Sequence, residues 1–525
     1  MSNKRATVIF ATSLIFVLSA CTSTSSDPMV PPEDSATKAV PSPAPTVFEQ
    51  NLQSDVRGAR ALVVPSENAS GSKLRADNIG ISFESTTLAD PRLDPDSSNL
   101  DDILESIGSP ALRFGGNALD RRTFWTSKGE NPKKSEQVAV TPADLKRLKR
   151  LVDVTDSTVT LGIPLGTYDP KRGADMAANA YDILGSSLVG LAIGNEPNGY
   201  TEMDVPDGAV RGGSWNKEKY VEQVEAYADA IHAKRPDAPI IGPDAYDGAW
   251  MKSFADSEVK HKAAVSQHWY QLYECGSNQV PGRGPQAENL VQPLAKKSAK
   301  KNLSIGKDWA NSADLPLWLE ETGPTSCPGT NDTSLTNASA LWAADFTLYA
   351  AQLGVERMTM HSMLGACEGG APMSLVCDPA DHGHHSDAFV PRPNMLGLRL
   401  VVPSVGGTFT ETSVKGGGNM SAYTVSKDGG RTLVTTVVNA NDAAKVVGNP
   451  LALRLPNGYS VNEASQVYGP SNDAKDASKT IPSNPLPKEL PFSVQTSSPS
   501  ASAGARELNI DLAASSATVF IMRKK

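Results

Sequence analysis

The chain has 525 residues, room for two to four domains at roughly 100–200 residues each. Charged residues make up 20% and hydrophobic ones 39%, a globular balance that excludes disorder over the whole length. Lys and Arg number 49 against 58 Asp and Glu, a net charge of −9, which excludes the basic face that nucleic acid requires. Neither a P-loop signature nor a G-x-G-x-x-G turn after a strand is present, so a nucleotide has no phosphate-binding loop to occupy.

Lys4 and Arg5 precede an apolar run from Ala6 to Leu18, followed by Ser19-Ala20-Cys21. A charged start, a short apolar stretch and a small-residue cleavage site define an export signal, too short to span a bilayer comfortably. Cys directly after Leu-Ser-Ala resembles a bacterial lipoprotein signal. That resemblance implies cleavage after residue 20, a lipid on Cys21 and a protein held on the outer side of the cell membrane. Residues 21–55 are rich in Ser, Thr and Pro, with Pro41-Ser42-Pro43-Ala44-Pro45, and read as an extended disordered tether.

Four further cysteines, Cys275, Cys327, Cys367 and Cys377, suggest two disulfides in an exported protein, with three connectivities open. Cys367 with Cys377 would close a short loop and leave Cys275 for Cys327. A zinc site joining Cys367 and Cys377 to His382, His384 and His385 is the rival, but the spacing of zinc motifs is missing and no metal is expected.

Residues 56–75 contain Ala59–Pro65, a candidate strand for a C-terminal β domain. Over residues 76–395 short apolar strands alternate with helical patterns, as in a parallel sheet built from βα units. The expected strands are Asn78–Glu84, Ala111–Gly115, Val159–Leu165, Val189–Gly194, Ile240–Pro243, Ala264–His268, Leu317–Glu320 and Arg357–Met360. Helical stretches between them include Pro142–Thr155, Asp175–Leu184, Trp215–Lys234 and Leu335–Gln352, the first capped by Thr141 with Pro142 at its first position. Eight such units predict an α/β fold, a (β/α)₈ TIM barrel. Residues 396–525 switch to alternating, β-branched segments broken by Asp-Gly-Gly and Pro-Asn-Gly, and predict an antiparallel β-sandwich.

In a barrel of this kind chemistry gathers where strands end. Glu84, Asn117, Asn195, Glu196, Asp244, His268, Tyr270, Glu321 and His361 all stand at or just past expected strands. Two segments are sharpest: Leu191-Ala192-Ile193-Gly194-Asn195-Glu196-Pro197-Asn198 after the fourth strand, and Leu317-Trp318-Leu319-Glu320-Glu321-Thr322-Gly323 at the seventh. Hydrolysing a glycosidic bond with retention needs two carboxyl groups about 5–5.5 Å apart, one protonated to aid the leaving oxygen and one ionised to attack. Strand ends on opposite sides of a barrel mouth can present such a pair.

Asn195-Glu196-Pro197 resembles the acid/base motif of retaining glycosidases of glycoside hydrolase clan A. Within that clan the segments resemble family 79, which contains heparanase and bacterial β-glucuronidases. Gly194-Asn195-Glu196-Pro197-Asn198 is similar to its acid/base strand, and Trp318-Leu319-Glu320-Glu321-Thr322 to its nucleophile strand. Leu112-Arg113-Phe114-Gly115-Gly116-Asn117 resembles its second strand, and Leu88-Ala89-Asp90-Pro91-Arg92 the stretch upstream. The resemblance implies a β-glucuronidase-like enzyme acting on an oligo- or polysaccharide without a cofactor, Glu196 as acid/base and Glu321 as nucleophile. A neutral-sugar glycosidase, a furanosidase or a non-catalytic carbohydrate-binding lipoprotein are the alternatives.

The same resemblance implies that Asn195 binds the sugar 2-OH and that Tyr270, in His268-Trp269-Tyr270, orients the nucleophile. His268 reads either as part of the site or as a core histidine. Arg113 reads either as the group beneath Glu321 that favours its ionised form or as one half of a structural ion pair. Glu84 and Asn117 are expected to bind substrate hydroxyls. Glu320 is expected to point to the opposite side of the strand from Glu321. Trp269, Trp318 and Trp342 are either sugar platforms or packing. Thr322-Gly323-Pro324-Thr325-Ser326-Cys327 departs from the small-residue run after the nucleophile in heparanase, so recognition of a uronic acid carboxylate does not carry over; the His382–His385 cluster is a candidate source of positive charge instead.

Overall fold

The computed structural model describes residues 56–202, 208–273, 282–326, 329–380, 388–475 and 506–524. The expectations for Cys21 and the tether, for Cys275 and Cys327, and for His382, His384 and His385 lie outside the described residues.

Eight parallel strands close into a barrel in chain order: Gly80–Glu84, Ala111–Gly115, Thr158–Ile163, Leu188–Ile193, Ile240–Ala245, Lys262–Tyr273, Leu317–Ser326 and Val355–Ser362. They are numbered first to eighth below. The expected (β/α)₈ fold is therefore present. Helix Pro142–Thr155 spans the predicted residues, with the Asp144 carboxylate accepting from the Thr141 backbone N–H at 2.8 Å. The helix predicted from Asp175 starts earlier, at Pro170, because the Asp169 side chain caps it by accepting from the Arg172 N–H. Among the described residues no helix is long and apolar enough to cross a membrane.

Alternation sorts each barrel strand into two faces. Ile81, Phe83, Leu112, Phe114, Val159, Leu161 and Ile163 face outward into the core shared with the helices. Ser82, Arg113, Thr160, Ser266, Arg357 and Thr359 take the alternate positions, and all are buried. The lumen is thus strongly polar. Inside it Arg357 donates to Asp77 Oδ1 and to the Leu112 carbonyl, both at 3.0 Å, and lies 3.0 Å from Glu320 Oε1.

Glu320 overturns a sequence expectation. It does not face away from Glu321: its carboxylate accepts from Thr160 of the third strand, on the other side of the closed barrel, a contact that has to cross the lumen. The cause is a β-bulge. Pairing with the sixth strand jumps from Leu319 opposite Gln267 to Glu321 opposite His268, so Glu320 is an extra residue and two consecutive acids point inward.

Eight further strands form one sheet in the order Tyr459–Tyr468, Ser516–Lys524, Thr432–Asn439, Met420–Lys427, Thr408–Gly416, Ala61–Lys73, Gly448–Leu455 and Arg506–Ala513. One pair, Ala61–Lys73 with Gly448–Leu455, is parallel, so the domain is mostly rather than wholly antiparallel. The sheet curls into a sandwich: Leu433, Val437, Phe520 and Met522 share a core with Ala61, Val63, Leu453 and Leu508 from its other end. Alternate residues Val434, Val438 and Val519 face the barrel's helices. Asp345, on the largely buried helix Asn337–Gln352, accepts from Ser421 Oγ at 2.7 Å and Tyr423 Oη at 2.9 Å across that junction. Cys367 and Cys377 form a disulfide in the stretch after the eighth strand, which removes both from the zinc alternative.

Phe520 is fully buried in the sandwich core. Phe520→Ala should cost about 3–5 kcal/mol of stability, read as a lower denaturation midpoint at unchanged slope.

Candidate active site

Arg113, inward-facing on the second strand and 2% exposed, has five N–H donors and five acceptor contacts. Nη1 donates to Ser82 Oγ and Glu321 Oε2, both at 2.8 Å. Nη2 donates to Asn195 Oδ1 at 2.7 Å and Asp244 Oδ2 at 2.8 Å, and Nε to Asp244 Oδ2 at 3.2 Å. One guanidinium therefore joins the first, second, fifth and seventh strands to the residue that follows the fourth. Both of its sequence readings have a counterpart: the guanidinium touches Glu321 and also forms a buried ion pair with Asp244, each at 2.8 Å.

Glu321 is buried. Tyr270 Oη donates to its Oε1 at 3.0 Å while Arg113 occupies Oε2. Burial pushes its carboxyl up, but the charges of His361, His268 and Arg113 outweigh this and hold it at about 2. Glu321 is thus ionised across the ordinary pH range.

Glu196 follows the fourth strand in the left-handed region, φ +48°, where a non-glycine residue is strained by about 1–3 kcal/mol. Neighbouring bonds impose that conformation. The Glu196 N–H donates to the Asp244 carbonyl at 2.8 Å, and the preceding Asn195 N–H to Asp120 Oδ2 at 2.8 Å. Asp120 Oδ1 also accepts from the N–H groups of Leu165 and Gly166, each at 2.7 Å, tying the ends of the third and fourth strands together. The Glu196 side chain is 22% exposed, the more solvent-facing of the two acids, and accepts from His268 Nδ1 at 3.0 Å.

His268 is 1% exposed and linked to three carboxylates: Glu196 at 3.0 Å, Asp244 at 3.6 Å and Glu321 at 3.9 Å. Burial lowers its pKa and Arg113 opposes protonation, yet the acids push it up to about 9. It belongs to the site rather than to the apolar core. Both Arg113 Nη2 hydrogens are already engaged, so the close approach of His268 Nε2 needs no acceptor role and its proton is free to face Asp244.

Asn195 Oδ1 is doubly used, by Arg113 and by the Gly116 N–H at 3.1 Å, which leaves the amide NH₂ as the donor end. Gly116 has φ +72°, and a Cβ there would lie 2.5 Å from the Glu84 carboxylate, so only glycine allows this approach. Glu84 accepts from the Ala118 N–H at 2.7 Å and stands 3.4 Å from His361 Nε2; His361 Nδ1 is in turn 3.9 Å from Glu321. The contact recorded for Asn117 is with Arg121 in its own helix, and none among the described residues joins it to the glutamates. Trp342 stacks on Phe346, against which Trp269 packs at a tilt; both tryptophans are buried among the helices, while Trp318 lies beside Arg357 in the lumen. All three are packing.

Glu196, His268 and Glu321 bring one ligand-type atom each within 4.8 Å of one another, which also bounds the nearest approach of the two carboxylates. A cation there would compete with a guanidinium 2.8 Å from Glu321 and with the Tyr270 hydroxyl, so the cluster is better suited to proton chemistry than to metal binding. Sequence reasoning noted Asp244 and His361 at strand ends but gave them no role. Asp120 had no local signal at all: its partners lie 45 and 75 residues away.

No protein-family model matches the chain. A β-glucuronidase of Neurospora crassa is 27% identical over 195 residues, 34% of this chain, and the chain spans about a third (34%) of that relative's length. Among solved structures, a 4-O-α-L-rhamnosyl-β-D-glucuronidase from Fusarium oxysporum 12S has a TM-score of 0.62 at 15% identity, over 89% of this chain and 99% of that one. The GH51 arabinofuranosidase from Xanthomonas axonopodis pv. citri gives 0.61 at 13% identity over 89% and 100%, and the GH39 enzyme from the same organism 0.58 at 12% over 89% and 98%. The structural neighbours are clan A glycoside hydrolases, and this chain has their fold.

The depressed Glu321 pKa contributes stability that is present above the unfolded value of about 4.3 and lost as pH falls toward 2. The stability difference between the native chain and Glu321→Gln should therefore shrink as pH is lowered from about 5 to 2. Chemical denaturation at a series of pH values measures it.

Proposed function

We propose that the protein is a retaining β-glycosidase resembling family 79 enzymes, with a terminal β-glucuronide or a related β-linked glycan as substrate. The observation that carries this reading is the carboxylate pair: an oxygen of Glu196 and one of Glu321 lie within 4.8 Å, an approach that favours the roughly 5–5.5 Å carboxyl spacing of a retaining pair over the about 6.5–9.5 Å of an inverting one. The partial sequence likeness to a β-glucuronidase favours the uronide.

Glu321, ionised, attacks the anomeric carbon while Glu196 gives its proton to the leaving oxygen. The glycosidic C–O bond breaks, and the sugar stays bound to Glu321 as an ester. Water then attacks the anomeric carbon, its proton passing to Glu196, and the C–O bond to Glu321 breaks to free both sugar and carboxylate. Tyr270 and Arg113 hold the Glu321 oxygens in place. The Asn195 NH₂ donates to the sugar 2-OH, a contact that strengthens as the oxocarbenium ion develops. The proton on His268 offsets the charge Glu196 acquires in the first step. Glu84 binds a hydroxyl of the sugar held over Glu321.

Aryl β-glycosides bearing glucuronide, glucoside, galactoside, xyloside and arabinofuranoside identify the sugar. Glu321→Ala should lose at least about 10³-fold in rate and, with azide, form the α-glycosyl azide of a β-pyranoside. Glu196→Ala should retain substrates with good leaving groups and lose poor ones, with azide giving the β-azide. Undiminished turnover by Glu321→Ala would overturn the assignment.

We also infer export and anchoring from residues 1–55. In a bacterial host, radiolabelled palmitate should enter the full chain and be lost in Cys21→Ala; labelling that survives the substitution would refute the lipoprotein reading.

A further inference from the structure

Tyr246 follows the fifth strand, two residues after Asp244, whose carbonyl holds the Glu196 N–H. It is a large side chain left 47% exposed at the barrel mouth. Its hydroxyl donates to Glu202 Oε1 at 2.7 Å. A Cβ on Gly199 would lie 3.2 Å from that hydroxyl, so the phenol crosses directly over the turn Pro197–Gly199 that follows the acid. Burial, the bond to Glu202 and the nearby charge of Glu196 all keep the hydroxyl protonated.

The turn beneath it is rigid. The Trp215 indole N–H donates to the Pro197 carbonyl at 2.8 Å, and Trp215 stacks on Tyr200 with ring centroids 5.4 Å apart. An exposed aromatic ring is thus fixed at both ends beside one of the two catalytic carboxylates, and its face has no use in the steps described above.

We propose that Tyr246 is the platform for the leaving group, a sugar ring or an aryl group seated against the phenol face. The assignment rests on the glycosidase reading of Glu196 and Glu321. The reacting sugar sits over Glu321, and the acid must reach the oxygen being expelled, so whatever is attached to that oxygen extends on the Glu196 side. Among the described residues Tyr246 offers an exposed aromatic surface there, and apolar sugar C–H faces or aryl rings pack well on such a face. Glu202 sets the ring's orientation, and the aglycone end of specificity is placed on this loop.

The test uses the full chain and two donors of the sugar identified by the aryl panel: a disaccharide, which has a ring to stack, and the glycosyl fluoride, which has none. Tyr246→Ala should lower kcat/KM for the disaccharide roughly tenfold and leave the fluoride within about twofold, while Tyr246→Phe should stay within about threefold of the native chain on both. Partition of the glycosyl-enzyme between water and an added sugar acceptor gives a second reading that does not depend on the active fraction. Tyr246→Ala should need roughly tenfold more acceptor for equal transfer. Equal losses on both donors, or no loss on either, would overturn the platform. A native chain that turns over no donor would overturn the glycosidase reading itself before any Tyr246 variant is compared, and this proposal with it.

Discussion

A buried guanidinium, that of Arg113, is the constraint around which the site is organised. Leaving Arg113 unpaired inside the barrel would cost several kcal/mol, so its five donors have to be met by the residues that surround it. Those residues come from four places in the chain: Ser82, Asn195, Asp244 and Glu321. Satisfying one cation therefore sets the relative positions of the strand ends that carry the chemistry. The Asn195 amide orientation follows from these bonds, and together with the charges of His361 and His268 they keep Glu321 ionised.

The two glutamates differ because their surroundings differ. Glu321 is enclosed and faces cationic groups on several sides, so its charge is held. Glu196 is partly open to solvent, and its recorded side-chain partner is a histidine. The first environment suits a group that must stay charged until it bonds to carbon. The second suits one that gives up a proton and later recovers it. His268 connects them, touching both acids and Asp244, so charge gained at one carboxylate is felt at the other through a short, buried path.

Strand existence was legible because the outward faces are runs of Ile, Leu, Val and Phe that only a helix-covered sheet would bury, and helix starts were legible where Pro and a cap coincide, as at Thr141-Pro142. Strand ends were less so. The sixth and seventh strands continue to Tyr273 and Ser326, well past the expected ends, because pairing in the barrel overrides local propensity. The bulge at Glu320–Glu321 could not be read either: period-two alternation assumes an unbroken ladder, and the extra residue is visible only against its partner strand. Asn117 was expected at the mouth from its position after a strand, yet the short helix it begins turns its contact toward Arg121.

Residue chemistry and local order were decided by the sequence alone. A buried strand delivering Asn195-Glu196, a second delivering Glu320-Glu321, and a His-x-Tyr on a third are properties of short segments, because side-chain type and hydrophobic period are local. What the tertiary structure decided was distance and charge: which of two adjacent acids meets Arg113, how close Glu196 comes to Glu321, and that Asp120, Asp244 and His361 take part. These depend on groups far apart in the chain meeting in a medium of low dielectric. There, a shift of a few ångströms decides whether an acid becomes a held anion, and only closure of the barrel sets those separations.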